Sequence, residues 1–487
     1  MSYPSLNLGR PHTPPHRATH GFPMNAALAR GGRGSGTWTP LTNVGPFGSN
    51  GAGTAILMTD GTVFVNDNTS NWYRLTPDQS GSYVNGTWTT GPGLPSGYGP
   101  LYFASAILPD GRLIVEGGEY NFFNPTETTL GAIYDPVANS WSSVSPPSGW
   151  SKIGDAQSVV LTNGTMMLGN CCGQNQALLD ATNLTWSTTG TGKADGNSEE
   201  GWTLLPDGTV LTADVGNEPN SERYNPQTGS WSSAGTIPVD LVQAFEMGPA
   251  VLRPDGTVFQ AGASGHNAVY TTASGKWTAA PDFPMVGGQQ LDVADGPASL
   301  LPDGNVLISA SPGAYNAPDY WFEWDGKNIN SVAATPDSPG DSSYAIRTLI
   351  LPTGQVLETN FTPDVFVYTP KGKPMRSLKP KISSVPSTLV HGTTYTISGT
   401  KFNGASQDNM YGDDAQMATN YPLVRITNGG TGHVFFARTH NFSSMAVASS
   451  ATVSASFDVP SGIETGASKL EVVTNGIASK PVSVTVQ

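Results

Sequence analysis

Hydrophobic and polar residues alternate along this chain in a short unit that recurs over most of its length. The clearest copy is Leu300–Ser309, LLPDGNVLIS, where an apolar run, a Pro-Asp-Gly turn and an alternating run predict one β-hairpin. The unit surrounds seven turn glycines spaced 44 to 53 residues apart: Gly61, Gly111, Gly164, Gly208, Gly256, Gly304 and Gly354. The chain is therefore predicted to consist of β-strands grouped in a long internal repeat.

Two further strands complete each repeat. A strand with an aromatic residue near its end follows most hairpins, as at Tyr73 and Tyr368. A strand with a central Trp follows that one, and its Trp residues are Trp38, Trp88, Trp141, Trp186, Trp231 and Trp277. A period near 50 residues made of strands is typical of a kelch-type β-propeller. Seven turns predict seven blades over residues 36–370.

The two ends of the repeat region predict how the ring closes. The strand of Trp38 has no hairpin before it, and the last repeat stops at its aromatic strand, 365–368. We expect these two strands to pair, because pairing removes a free sheet edge. We expect the recurring Trp residues to pack between blades rather than to bind sugars.

The periodicity ends at a basic, Pro-containing linker, residues 371–380. Residues 381–487 contain seven short alternating strands, which predict an immunoglobulin-like β-sandwich. Residues 1–35 are rich in Pro and Gly and are predicted to be a mostly disordered arm. That arm carries His12, His16 and His20, a weak candidate for a metal-binding tract. The predicted fold class is all-β.

The excess of acidic over basic residues excludes some classes of binding partner. The chain has 23 basic and 37 acidic residues, for a net charge of −14. Nucleic-acid binding needs a basic face, so it is excluded. No apolar stretch reaches the roughly 18 residues of a membrane span. Cationic groups, metal ions and neutral sugars remain as ligands.

Several features are typical of a secreted protein, and we expect an extracellular or cell-surface location. Lysines are few, and six Asn-x-Ser/Thr sites occur, at Asn68, Asn85, Asn163, Asn183, Asn360 and Asn441. Residues 1–36 lack the apolar core of a signal peptide, so we expect a removed signal or another export route. The two cysteines, Cys171 and Cys172, are adjacent and either close a vicinal disulfide ring or remain thiols.

A seven-bladed kelch propeller followed by an early-set immunoglobulin-like domain resembles the galactose oxidase and glyoxal oxidase family. Residues 438–441, Arg-Thr-His-Asn, resemble the family segment that sends a copper-binding His into the propeller channel, which implies such a role for His440. Residues 386–404 also resemble IPT/TIG-type domains. The family binds copper through two Tyr and two His, with one Tyr linked to a Cys. Here Tyr344 matches a ligand, but Ala345 stands where the His belongs and no inner strand begins with Cys. We therefore do not expect bound copper. We expect the chain to belong to a branch of the family that lacks the oxidase activity.

Acidic residues gather where the inner strands begin. Nine residues before the turn glycine, three of the seven repeats carry a carboxylate. The candidate ligand-binding residues around this rim are Asp155, Glu199, Glu200, Glu246, Asp292, Asp295, Asp341, Tyr102 and Tyr344, together with His440. Converging carboxylates favour a hard cation such as Ca²⁺, a cationic group or sugar hydroxyls. The alternative is a solvated rim whose carboxylates cap turns. Tyr411–Asp414 is a second candidate Ca²⁺ loop, or a solvated turn.

We therefore expect a non-catalytic secreted or surface module that binds a glycan or protein at the propeller mouth. The first alternative is a mononuclear copper oxidase with a reduced ligand set, and the second is a structural subunit of an extracellular assembly. Hydrolase and nucleotide-binding motifs are absent from the sequence. The sequence assigns no catalytic residue, no oligomeric state and no definite metal.

Overall fold

The computed structural model describes residues 22–32, 35–412 and 417–487. Within these ranges one short helix, Ala26–Ala29, and three 3₁₀ turns, Gly48–Asn50, Ser343–Ala345 and Arg376–Leu378, accompany 43 strands. None of these helices has the length and apolar character needed to cross a membrane. The prediction of an all-β chain is confirmed.

Five antiparallel four-stranded sheets, here named sheets A to E, follow one another along the chain. Sheet A consists of Ala55–Leu57, Val63–Asn66, Trp72–Thr76 and Thr87–Thr90. Sheet B consists of Ala104–Ile107, Leu113–Glu116, Gly131–Asp135 and Ser140–Val144. Sheet C consists of Ser158–Val160, Met166–Gly169, Gln176–Asp180 and Thr185–Thr189. Sheet D consists of Thr203–Leu204, Val210–Ala213, Asn220–Asn225 and Ser230–Thr236. Sheet E consists of Ala250–Leu252, Thr257–Gln260, Asn267–Thr271 and Lys276–Ala280.

Two further sheets, F and G, each include a strand from a distant part of the chain. Sheet F consists of Met285–Val286, Gln289–Asp292, Pro297–Leu300, Val306–Pro312, Tyr320–Trp324, Ile329–Ser331 and the distant Asn409–Tyr411. Sheet G consists of Arg347–Ile350, Val356–Thr359, Val365–Thr369 and the distant Thr37–Pro40. A small sheet beside sheet B consists of Pro100–Leu101, Tyr120–Asn121 and Asn124–Pro125.

The hairpin turns show why the Pro-Asp-Gly unit recurs. At Gly304 the φ angle is 91°, in the left-handed region that glycine adopts without a side-chain clash. The Asp303 carboxylate accepts the N–H of Asn305 at 3.0 Å and closes the turn. The same carboxylate-to-backbone bond forms in four other turns, at Asp60, Asp110, Asp207 and Asp255.

Sheet G closes the array as the sequence predicted. Thr37–Pro40 pairs antiparallel with Val365–Thr369, and Trp38 lies opposite Tyr368. The Trp38 indole donates to the carbonyl of Ala333, just beyond the outer strand of sheet F, at 2.6 Å. Corresponding bonds join other neighbouring sheets through Trp88, Trp141, Trp186, Trp231 and Trp277. The recurring Trp residues therefore hold adjacent sheets together, as predicted.

In sheet F the strand that corresponds to the first strands of the other sheets is Pro297–Leu300, and it is called the first strand of sheet F below. The first strands of sheets B, C, D, E, F, G and A contact one another in that order. Asn409–Tyr411 comes from the C-terminal region and lies among them, in contact with the first strands of sheets E, F and G. Its Asn409 side chain is fully buried and accepts the N–H of Ile350 at 2.8 Å. The C-terminal region thus fills part of the space that the first strands surround.

The C-terminal region forms one nine-stranded sheet path. Its strands are Lys381–Ser384, Thr388–Leu389, Thr394–Thr400, Leu423–Asn428, Val434–His440, Thr452–Asp458, Gly466–Thr474, Ile477–Ala478 and Val482–Val486. Val434–His440 pairs with Leu423–Asn428 through its first half and with Thr452–Asp458 through its second half. Val434–His440 therefore connects the strands that pair with Leu423–Asn428 to those that pair with Thr452–Asp458.

The prediction of a disordered arm over residues 1–35 needs correction for residues 22–32. Phe22 donates its N–H to the carbonyl of Ala317 at 2.9 Å, and Asn25 donates to the Tyr320 hydroxyl at 2.7 Å. Met24 and Leu28 pack on the apolar core of sheet F. This segment is short, but its apolar side chains bury against a sheet face that would otherwise be open. His12, His16 and His20 lie outside the described residues.

Candidate functional site

The loops before the first strands of sheets D, E and F bring three predicted residues together. The carboxylate oxygens of Glu199, Glu246 and Asp295 lie within 4.8 Å of one another. We call these three residues the mouth cluster. Glu246 and Asp295 are buried and Glu199 is half-buried. Glu199 and Asp295 both have positive φ angles, 60° and 56°, which turn the chain sharply before the strand begins.

Two tyrosines lie beside the mouth cluster. The Tyr315 hydroxyl donates a short hydrogen bond to the Glu246 carboxylate, and its ring meets that of Tyr344 edge-on at 5.0 Å. The Tyr344 hydroxyl is buried and has no hydrogen-bond partner among the described residues. Burial raises the pKa of Tyr344, and the charge of Asp341 raises it further. Tyr344 is therefore a neutral phenol that can donate one hydrogen bond.

A buried cation lies at the inner end of this site. The Arg347 guanidinium lies 3.6 Å from the ring centre of Tyr411 and 5.0 Å from that of Tyr102. It also donates to the carbonyl of Tyr344 at 2.9 Å. The Tyr411 hydroxyl donates to the same carbonyl at 2.6 Å. Arg347 stacks on the rings of Tyr102 and Tyr411. Arg347 and Tyr411 together hold the Tyr344 carbonyl through their two hydrogen bonds.

Gly412 follows Tyr411 and lies against the mouth cluster. A Cβ on Gly412 would lie 2.3 Å from Oδ1 of Asp295, so a larger residue would displace that carboxylate. The segment from the C-terminal region therefore contributes directly to the mouth. Asp413 and Asp414, the acidic part of the second predicted Ca²⁺ loop, lie outside the described residues.

The other predicted rim carboxylates lie outside the mouth cluster and have contacts of their own. Glu200 forms a buried ion pair with Lys193 at 2.8 Å. Asp341 accepts from the Asn360 side chain at 2.8 Å. Asp292 accepts backbone N–H groups, and Asp155 adds its negative charge to the surroundings of Cys171 and Cys172. Asp155, Glu199 and Asp295 all stand nine residues before a turn glycine, yet Asp155 lies outside the mouth cluster, so equal spacing does not fix where a carboxylate lies.

His440 lies in a different part of the fold. Its ring bonds to the Asp458 carboxylate at 3.1 Å on the neighbouring strand of the C-terminal sheet. Its backbone lies against Gly111 in the hairpin turn of sheet B. The preceding residue, Thr439, donates its N–H to the carbonyl of Thr59 in the hairpin turn of sheet A at 3.1 Å. His440 therefore contributes to docking between the two regions and not to the mouth.

The donor atoms of the mouth are carboxylate and phenol oxygens. Copper in proteins takes imidazole ligands, whereas Ca²⁺ takes six to eight oxygens. Three histidines, His266, His433 and His440, bond to carboxylates elsewhere in the fold. Among the described residues, the side chains around Tyr344 thus offer oxygen atoms and not the imidazole ligands of the copper site that the family resemblance implies.

Sequence reasoning missed Tyr315, and it treated Tyr411 as part of a separate loop and not as part of the mouth. It also missed Glu127, which lies away from the mouth, beside the two cysteines. Tyr315 lies in the loop between Val306–Pro312 and Tyr320–Trp324, outside the recurring hairpin unit, so periodicity gives no signal for it. Tyr411 belongs to the C-terminal region, and only the pairing of its strand with Pro297–Leu300 places it here. Glu127 lies in a loop of sheet B and reaches the Cys171 thiol at 3.1 Å.

No protein-family model and no curated protein matches the sequence. Solved structures do match the fold. A fungal alcohol oxidase of the AA5 family, in complex with copper, has a TM-score of 0.50 at 14% identity and covers 94% of this chain and 99% of its own. A catalytically inactive virginiamycin B lyase from Staphylococcus aureus, with quinupristin, has a TM-score of 0.50 at 11% identity and covers 69% of this chain and 99% of its own. The chain therefore shares a β-propeller fold with these structures.

Proposed function

We propose that this protein is a non-catalytic secreted or surface binding module that takes its ligand at the mouth cluster of Glu199, Glu246 and Asp295. The convergence of three carboxylates from three neighbouring sheets within 4.8 Å carries this proposal. We also interpret sheets A to G as seven propeller blades and residues 381–487 as an early-set immunoglobulin-like domain.

The electrostatics favour a hard divalent cation, such as Ca²⁺, as the first component bound. Two ionised carboxylates whose oxygens lie within 4.8 Å of each other repel by about 3 kcal/mol or more at an effective dielectric constant near 20. Three such pairs act within the mouth cluster. A divalent cation between the carboxylates replaces repulsion by attraction, and its binding free energy stabilises the folded chain.

The partner that this arrangement suits is a glycan or a protein surface. Three side chains leave several of the six to eight Ca²⁺ positions for other oxygens, which paired sugar hydroxyls or a protein carboxylate can supply. The neutral hydroxyl of Tyr344 offers one hydrogen-bond donor beside them. Aromatic and polar groups around one charged centre are typical of a specific ligand site.

A copper oxidase with a reduced ligand set is the second candidate function. The observation in its favour is the buried, unpartnered hydroxyl of Tyr344 in a fold shared with a copper-bound alcohol oxidase. Against it stand Ala345, which offers no ligand atom, and His440, which bonds to Asp458. A structural subunit of an extracellular assembly is the third candidate.

Calcium titration tests the leading proposal. We expect saturating Ca²⁺, at about 100 times Kd, to stabilise the wild type by about 2.7 kcal/mol. The Glu246→Gln/Asp295→Asn variant should show no rise in Tm. The matched control is Asp207→Asn/Asp255→Asn, which removes two charges from half-exposed turns at the other end of sheets D and E and should respond like the wild type.

The remaining outcomes separate the alternatives. If the cluster variant gains as much stability from Ca²⁺ as the control does, the mouth cluster is only a polar surface. Stoichiometric copper with a radical absorption band in the purified protein would favour the oxidase. A native mass many times that of one chain would favour the structural subunit.

A further inference from the structure

The adjacent cysteines lie just after the second strand of sheet C, at a turn with unusual geometry. Their two sulfur atoms are 2.8 Å apart, and both residues are free thiols. Cys171 is buried and Cys172 is exposed. The φ angle of Cys172 is 62°, which swings its side chain back towards Cys171. One sulfur is therefore open to solvent and the other is held directly behind it.

Neighbouring loops hold both residues in place. Cys171 donates its N–H to the carbonyl of Ile153 at 2.8 Å, and Cys172 donates its N–H to the Ser198 hydroxyl at 2.9 Å. A Cβ on Gly154 would lie 2.5 Å from the Cys171 sulfur and 2.1 Å from a Glu127 oxygen. Only a glycine leaves room for the thiol and the carboxyl group there.

The pKa values of the two thiols differ as thiol–disulfide exchange requires: the exposed thiol ionises more readily than the buried one. Hydrogen bonding from Cys171 lowers the pKa of Cys172, and the same bond together with burial raises the pKa of Cys171. The Cys171 sulfur also lies 3.1 Å from a Glu127 oxygen, so its one proton can be donated to either neighbour. Burial raises the pKa of Glu127 to about 8, which makes its carboxylate a stronger base than an exposed one.

We propose that Cys171 and Cys172 are a redox-active dithiol that closes to a vicinal disulfide by exchange with a low-molecular-weight disulfide. The Cys172 thiolate attacks the small disulfide, forms a mixed disulfide and releases one thiolate. The Cys171 thiol passes its proton to Glu127, and its sulfur then attacks the Cys172 sulfur and releases the second thiolate. Two electrons move from the cysteines to the small disulfide, which leaves as two thiols.

A zinc site is the competing use of these groups. Tetrahedral zinc with Zn–S bonds of about 2.3 Å holds two sulfurs about 3.8 Å apart. The two sulfurs here are 1.0 Å closer than that, at 2.8 Å. The separation and the facing side chains favour bond formation between the sulfurs.

Oxidised glutathione tests the proposal on the full chain. The reduced wild type should lose two hydrogens in its intact mass and keep no glutathionyl group. Cys171→Ser should stop at one glutathionyl adduct on Cys172, because the second step is absent. Cys172→Ser should stay unmodified, because Cys171 is buried. Glu127→Gln should accumulate the mixed disulfide, and its ring closure should lose the acceleration that the wild type gains as pH rises through about 8.

The wild-type measurement needs no variant and decides the main point. Two alkylatable thiols after prolonged incubation with oxidised glutathione would overturn the proposal. So would equal adduct formation on Cys171→Ser and Cys172→Ser when both variants melt at the wild-type temperature. Stoichiometric zinc that blocks ring closure in the purified protein would assign the cluster to metal binding instead.

Discussion

The buried ion pair of Lys193 gives the sharpest stability prediction. The Lys193 ammonium lies 2.8 Å from Glu200 and 2.8 Å from Glu222, and all three side chains are buried. It also lies 5.0 Å from the ring centre of Trp231. Lys193→Met keeps the aliphatic stem and removes only the charge. The substitution leaves two carboxylates without their cation in a site that excludes water.

The expected loss follows from the burial. Removal of one partner from a buried pair costs about 3–5 kcal/mol, because the remaining charge has no compensation. The matched control is Arg223→Met in the same sheet. Arg223 and Asp207 are 3.5 Å apart and 36% and 54% exposed, so that pair contributes less than about 1 kcal/mol. Urea unfolding monitored by tryptophan fluorescence compares the two variants.

The pH dependence of the Lys193→Met deficit has a definite sign. Burial raises the pKa of Glu200, and Lys193 opposes that rise, so its removal lets the pKa rise further. A carboxyl group with a raised pKa in the folded state holds its proton more tightly there. Its contribution to stability is complete below the unfolded pKa and is lost as pH rises through the folded pKa. The deficit should therefore be larger at pH 8 than at pH 5. Equal midpoints for Lys193→Met and Arg223→Met at pH 8 would refute the reasoning.

Two predictions concern the ends of the repeat region and the missing ligand. Deletion of residues 1–45 removes the strand Thr37–Pro40 and should cause aggregation through the freed edge of Val365–Thr369. Deletion of residues 1–30 removes contacts such as those of Met24 and should lower Tm far less. Equal melting temperatures would contradict the closure. Copper loading should give no galactose or glyoxal oxidase activity, because Ala345 offers no ligand; peroxide that scales with bound copper would contradict this.

The repeating part of the fold could be predicted because each unit carries its own local signal. The turn carboxylate and the glycine after it are needed in every hairpin, as at Asp303 and Gly304, so both recur at regular intervals. The pairing of Trp38 with the last sheet followed from counting strands at the two ends. These features depend on residues that are close in the sequence or on the number of strands in each repeat.

The site depends on contacts that have no period. Glu199 and Glu200 are adjacent, yet one joins the mouth cluster and the other binds Lys193, because a backbone turn with φ of 60° separates their directions. The mouth also needs Tyr411, which arrives from the C-terminal region. A pattern of spacings gives neither the direction of a loop side chain nor the path of an inserted strand.

The pairing of Thr37–Pro40 with Val365–Thr369 also constrains how the chain is made. Val365 follows Pro40 by 325 residues. At about 5–20 residues per second, ribosomes need on the order of 15–65 s to join the two segments in one nascent chain. During that interval the first strand has no partner of its own, and its backbone is free to pair with a neighbouring chain on the same messenger RNA. Slow codons between residues 41 and 364 lengthen the interval.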